Sequence, residues 1–253
     1  MAFITHITNL LLVPLGLILV MALASQYLRT LLSKLNPWLY KITIGPGTIV
    51  HELSHLGMAL CFGMQINHVQ LWSGSTQGHY GHVNFAYSRT SFIQLVGLFF
   101  VGLAPLFVAI AISLFITIYG LQSIPYPGMI NVFEPTSLFR EISRITTHFH
   151  TELMALPTLA LILLVSFYLL FLPHVVPSRE DLKLTFKGAI PLALVVTCIL
   201  SLLNILGDWP ATLTALYSGL FWFLVAVVPI LAMMVVLLIL LRFSVWILRL
   251  QNR

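Results

Sequence analysis

His51-Glu52-Leu53-Ser54-His55 places three ionisable groups inside a segment otherwise apolar enough to lie in a membrane. On a helix the two histidines stand at i and i+4, one turn apart on one face, so both imidazoles can reach one metal ion. Glu52 projects from nearly the same edge. It is placed to act as a general base beside the metal but is spaced wrongly for an obvious third ligand. From 9 His and 5 Glu in 253 residues, only about 0.006 chance matches to this pattern are expected. The plain alternative is a pair of core histidines and a glutamate that bond to neighbouring helices. In a membrane, however, a central carboxylate costs about 2.5 to 3.5 kcal/mol even on the lenient insertion scale, which argues against an idle one. The stretch therefore reads as a zinc site with His51 and His55 as ligands and Glu52 as the catalytic base, the arrangement of metallopeptidases.

The rest of the chain sets that site in a bilayer. Hydrophobic residues make up 59% of the sequence and charged residues 8%, far from the balance of a soluble domain. The length accommodates about six membrane helices and leaves no room for a separate soluble domain, so residues 1–253 read as one integral membrane domain, mostly α. The net charge of +5 is spread over loops, which concerns orientation and anionic lipid and excludes a nucleic-acid partner. Cys61 and Cys198 lie in apolar segments and read as small hydrophobes.

Residues 8–28 read as a first span, retained and not cleaved, because no Lys or Arg precedes it while Arg29, Lys34 and Lys41 follow. Residues 29–41 read as a short cytoplasmic connection. Gly45-Pro46-Gly47 then reads as the start of the motif helix, which places His51 one or two turns from the cytoplasmic end. Ile66–Trp72 and Gly81–Tyr87, separated by turn-forming residues, predict a β-hairpin that is re-entrant because it lies between membrane segments. His68, His79 and His82 fall there and read as solvated or interfacial residues. A long apolar helix over about 91–119 carries Gly97, Gly102 and Pro105, which suit close packing beside the motif helix. A polar region at 120–152 holds a short interfacial helix with His148 and His150 on its surface, and apolar segments follow at 153–172, 189–206 and 213–241.

A catalytic zinc takes three protein ligands, and the chain offers two aspartates, Asp181 and Asp208. With residues 29–41 inside and the hairpin returning the chain inward, ten of the twelve basic residues are cytoplasmic, as the positive-inside rule requires. Asp181 then lies on the same side as His51 and Asp208 at the opposite surface, so Asp181 is the expected third ligand. Asp208, Glu180 and a further histidine are the alternatives. Pro177-Ser178-x-x-Asp181 also reads as a helix N-cap, and the two roles are compatible. His174 stands close enough to orient a substrate, although an interfacial histidine is the simpler reading.

With these features the chain resembles the site-2 protease-like intramembrane zinc metalloproteases: His51-Glu52-x-x-His55 on a membrane helix, a hairpin near 66–87, and Asp181 from a later helix. The likeness covers about residues 42–190. It departs from the family pattern in that Leu182, not Gly, follows Asp181, and Asn204 to Asp208 only weakly echoes the family's Asn-Pro and Asp-Gly elements. The resemblance implies a zinc endopeptidase acting on membrane-spanning or membrane-adjacent peptides, in the plasma membrane of a bacterium, and the distribution of basic residues puts the N-terminus outside and the C-terminus in the cytoplasm. Its substrate protein and any regulatory partner are not readable from the chain. The rival reading is a membrane metal-binding or transport protein without peptidase activity. Haem is disfavoured because two histidines one turn apart cannot take opposite axial positions on one iron. Transport is disfavoured because the spans offer almost no acidic residue besides Glu52.

Overall fold

Asn36-Pro37 separates the first two helices of the structure, a computed structural model that describes residues 10, 12–73, 80–116, 118, 135–174, 177–205 and 209–251. Helix α1 (Val13–Leu35) ends at Asn36, whose Oδ1 accepts the Trp38 N–H at 2.8 Å and so caps α2 (Pro37–Cys61). Pro37 occupies the first helical position, where no N–H is missed. This cap starts the motif helix eight residues before Gly45. Residues 29–41 are therefore mostly helical, not a connecting loop, and Pro46 lies inside α2. His51 is consequently fourteen residues into the helix, about 21 Å along it at 1.5 Å per residue, not one or two turns from its end.

The end of α2 delivers the hairpin. Gly63, at φ 63°, adopts the left-handed conformation that only glycine takes without penalty. Met64 N–H bonds to Ala59 O at 3.0 Å and Gly63 N–H to Leu60 O at 2.9 Å, the paired bonds of a Schellman cap, with Ala59 and Met64 buried together. The chain leaves directly into β1 (Gln65–Gln70), which pairs antiparallel with β2 (His82–Ala86) in the register Gln70↔His82, Val69↔Val83 and His68↔Asn84. An irregularity between Ile66 and His68 shifts the ladder before Ile66↔Phe85. Residues 74–79, including His79, lie outside the described residues.

Helix α3 (Phe92–Phe115) begins at Ser91, whose Oγ accepts the Gln94 N–H. Gln94 Nε2 donates to Gly63 O at 2.7 Å, which ties the start of α3 to the end of α2. Helix α4 is Pro135–Ala155, and α5 (Thr158–Phe171) follows a break at Leu156-Pro157, so residues 153–172 are not one continuous helix. Helix α6 is Arg179–Ile205 and α7 is Trp209–Gln251, each longer than the apolar runs at 189–206 and 213–241. The chain is thus mostly helical with one small two-stranded sheet. Four helical segments, Val13–Leu35, Phe92–Phe115, Arg179–Leu203 and Ala211–Ile247, are long and apolar enough to cross a membrane.

The chain divides into two compact units. One comprises the described residues of Met1–Tyr27, Ile110–Tyr168 and Leu203–Arg253, and is built around α7. Leu138, Ile142 and Ile145, three and four apart on α4, put one apolar face against Tyr217, Phe221, Leu224 and Val228 of α7. Ser113 Oγ donates to Ala226 O at 2.8 Å.

The other unit, Leu28–Ala109 with Leu169–Leu202, contains α2, the hairpin, most of α3 and most of α6. Ala59, Met64, Leu98 and Val101 form its core, with Phe62, Ile66, Phe85 and Leu184 packed against them. Lipid is as apolar as leucine, so helices in a membrane associate through close backbone approach and not through water exclusion. Gly102 and Gly188 provide that approach. A Cβ on Gly102 would fall on the Asp181 carbonyl and Thr185 Oγ1, and one on Gly188 would fall on the Phe99 backbone.

Candidate metal centre

The helical spacing on α2 brings the two motif imidazoles together, with ring centroids 4.7 Å apart and Nε2 atoms 3.1 Å apart. The first turn of α6 supplies the third group: Asp181 Oδ2 lies 3.3 Å from His51 Nε2, and Asp181 Oδ1 lies 3.2 Å from His55 Nε2. Tetrahedral zinc bonds of about 2.0–2.2 Å put ligand atoms a little over 3 Å apart. The donor set of His51, His55 and Asp181 therefore has the spacing and chemistry to hold a metal ion.

Two of the three donors, His55 and Asp181, are held by a second contact. His55 Nδ1 lies 2.8 Å from the Val101 carbonyl of α3, which can only accept. Nδ1 therefore carries the proton, and Nε2 turns its lone pair toward His51 and Asp181. His51 Nδ1 is buried without a hydrogen-bond partner among the described residues. Asp181 stands in a reciprocal capping box: the Ser178 N–H donates to Asp181 Oδ2 at 2.6 Å, and the Asp181 N–H donates to Ser178 Oγ at 3.3 Å. Thr185 Oγ1 donates to the Asp181 carbonyl at 2.9 Å. The cap and the metal-facing geometry share one carboxylate, so the two readings of Ser178-x-x-Asp181 hold together.

These three residues and Glu52 line a cavity of about 590 Å³. Glu52 is buried and makes no hydrogen bond among the described residues. The hairpin closes over it at Gly81, where a Cβ would come within 2.9 Å of both Glu52 Cγ and Thr48 Cγ2, so only glycine lets β2 sit this close. His82, Val83, Asn84 and Phe85 of β2 form one wall.

His174 is also in this wall and is buried, not interfacial. Its Nε2 lies 3.2 Å from Thr43 Oγ1, whose own proton goes to Tyr40 O at 2.9 Å, so the imidazole donates to the threonine. Burial, with the Arg29 guanidinium and His51 nearby, lowers His174 to about 3 and keeps it neutral.

His82 reaches the cavity, whereas His68 is exposed on β1 with its ring 5.1 Å from that of His82. Neither joins a metal-binding group among the described residues. His148 and His150 lie on α4, half-buried and exposed. Asp208 lies outside the described residues. A larger hollow of about 830 Å³ over Arg140, Arg144 and His148 of α4 holds no such group among the described residues. Arg29, Tyr40 and Tyr80 line the metal-site cavity without having been singled out in the sequence. They carry no motif, and only the packing of α1, α2 and the hairpin gathers them. No protein-family model, curated protein or solved structure matches this chain.

Proposed function

We propose that the protein is a membrane-embedded zinc metallopeptidase similar to the site-2 protease-like enzymes, hydrolysing membrane-spanning or membrane-adjacent peptides. One observation carries the reading: the Nε2 atoms of His51 and His55 and the Asp181 carboxylate converge within 3.1–3.3 Å in a cavity that Glu52 also lines. His51, His55 and Asp181 would hold the zinc ion, which when bound polarises the scissile carbonyl and makes water a better nucleophile at neutral pH. The Glu52 carboxylate takes a proton from the attacking water and delivers it to the leaving nitrogen, so that one water is consumed and an acid and an amine are released. Asp181 balances charge at the metal while Ser178 holds its orientation, and the Val101 carbonyl keeps the His55 lone pair pointed inward.

A peptide must be extended to expose its scissile bond, because a helix hides its amides. A hairpin edge beside the cavity offers backbone groups for that purpose by strand addition. In this reading α2 and the short α5 join the four apolar helices to make six membrane helices, with the hairpin re-entrant, the N-terminus outside and the C-terminus in the cytoplasm of a bacterial cell. Irregular backbone at membrane depth is tolerated where it is buried in protein or lines a cavity.

The test is zinc analysis of the purified protein, coupled to comparison of the membrane peptides that accumulate in cells carrying Glu52→Ala. One zinc per chain and accumulation of uncleaved peptides in the variant support the reading. Bound zinc with peptide profiles unchanged by Glu52→Ala would favour a metal-binding or transport protein.

A further inference from the structure

We infer that Arg29, Tyr40 and Tyr80 form a carboxylate-binding subsite in the metal-site cavity, and that it selects a peptide bearing an acidic side chain near the cleaved bond. This rests on the peptidase reading above.

The three residues come from separate elements, the later part of α1, the start of α2 and the segment leading into β2, yet all line one cavity with His51, Glu52, His55 and Asp181. Arg29 and Tyr80 are both electrostatic neighbours of Tyr40. Their polar heads are donors without a counterpart: neither the Arg29 guanidinium nor the Tyr40 or Tyr80 hydroxyl makes a hydrogen bond or ion pair among the described residues.

The acids of the cavity do not meet this need. Asp181 is committed to His51, His55 and the Ser178 N–H, and Glu180 pairs with Lys183 at 2.6 Å. Glu52 makes no ion pair with Arg29. The aromatic rings are themselves held, Tyr80 stacked on Trp72 at 5.7 Å and Tyr40 tilted against His174 at 5.9 Å, so the donors are presented by packed groups.

The Arg29 guanidinium and the two phenols that line this cavity with it have five N–H and two O–H donors to offer, and arginine's fork matches the two oxygens of a carboxylate. A ligand that enters this cavity is one that reaches the metal-binding set. A membrane-spanning peptide would pass through it as continuous chain, which makes a side-chain carboxylate the group within reach.

The experiment uses the full-length, zinc-loaded protein in detergent and two probes that differ in one group, N-acetyl-glutamyl hydroxamate and N-acetyl-glutaminyl hydroxamate. The aspartyl and asparaginyl pair tests a shorter reach. The hydroxamate occupies the metal in every probe, so the acid-to-amide ratio isolates the subsite. Wild type is expected to bind the acid at least about tenfold more tightly than the amide, the size of a charge-assisted hydrogen bond. Arg29→Gln should bring that ratio to about one while keeping the amide's affinity, and Tyr40→Phe and Tyr80→Phe should each reduce it in part.

Equal binding of acid and amide by wild type overturns the inference, as does a preference unchanged in Arg29→Gln. So does an Arg29→Gln protein that keeps the preference and instead loses stabilisation by phosphatidylglycerol over phosphatidylcholine nanodiscs, which would assign the cation to a lipid headgroup. If neither hydroxamate binds wild type, the zinc has no open position and the peptidase reading fails by itself. The subsite is then read by thermal shift with glutarate against glutaramide: stabilisation of wild type but not of Arg29→Gln by glutarate alone supports it, and equal responses overturn it.

Discussion

Replacing Gly188 by alanine is expected to weaken metal binding at a site seven residues away on the same helix. A Cβ at Gly188 would lie 2.8 Å from Phe99 Cα and 2.9 Å from Leu98 C, and these are backbone atoms of α3 that no rotamer change can move. Carbon atoms pack at about 3.5–4.0 Å, so α6 must retreat from α3 by roughly 0.7 Å or more. Residues 181 and 188 are two turns apart on one face, and both meet α3, so the displacement carries Asp181 away from His55, which α3 holds through Val101. Zinc–ligand distances tolerate only about 0.2 Å. Zinc affinity, measured by competition with a fluorescent chelator, should fall by about 10- to 100-fold, the usual effect of disturbing the support of a ligand. Stability should fall by about 1–3 kcal/mol from overpacking. Gly219→Ala is the control: it lies on α7 with nothing within 4 Å of the added carbon, and should alter neither quantity adversely. Wild-type zinc affinity in Gly188→Ala would refute the claim that the α3–α6 approach positions Asp181.

Glu52→Gln should keep zinc binding at the wild-type level and abolish peptide cleavage, as measured by metal analysis and by accumulation of uncleaved peptides in membranes; loss of the metal would show that Glu52 acts as a ligand. Ser178→Ala removes one arm of the capping box, and should cost about 0.5–2 kcal/mol in thermal unfolding and weaken zinc binding in the same chelator assay. His174 is lowered from 6.5 to about 3 in the folded protein, so an unfolded chain takes up this proton first as pH falls. Its contribution to stability is fully present above pH 6.5 and is lost between there and about pH 3, with a slope approaching 1.4 kcal/mol per pH unit. Metal-free His174→Asn should show a shallower decline over that window, and identical slopes would contradict a buried, neutral His174.

Local chemistry made much of the site legible. The i, i+4 spacing of His51 and His55 needs only a helix, and the hairpin is bounded by turn residues. Ser178-x-x-Asp181 carries both a cap and a carboxylate in four residues, which is why one short stretch announced the start of α6 and the group that meets the histidines. The start of α2 was missed because Asn36-Pro37 and Gly45-Pro46 are competing signals. A capping side chain at Asn36 satisfies the Trp38 N–H, whereas Pro46 inside the helix removes only one bond. The break at Leu156-Pro157 was hidden by apolar residues on both sides. Arg29, Tyr40 and Tyr80 were not legible as a group: Arg29 reads only as a cytoplasmic charge, the two tyrosines carry no motif, and only tertiary packing puts the three in one cavity.

The central claim, that His51, His55 and Asp181 hold a zinc ion, is tested most directly by zinc K-edge X-ray absorption on the purified protein. The account predicts one zinc per chain with two imidazole nitrogens at about 2.0–2.1 Å and a carboxylate oxygen at about 2.0–2.2 Å, and loss of the oxygen contribution in Asp181→Ala. Sulfur in the first coordination shell, or a spectrum unchanged by both His51→Ala and Asp181→Ala, would contradict it.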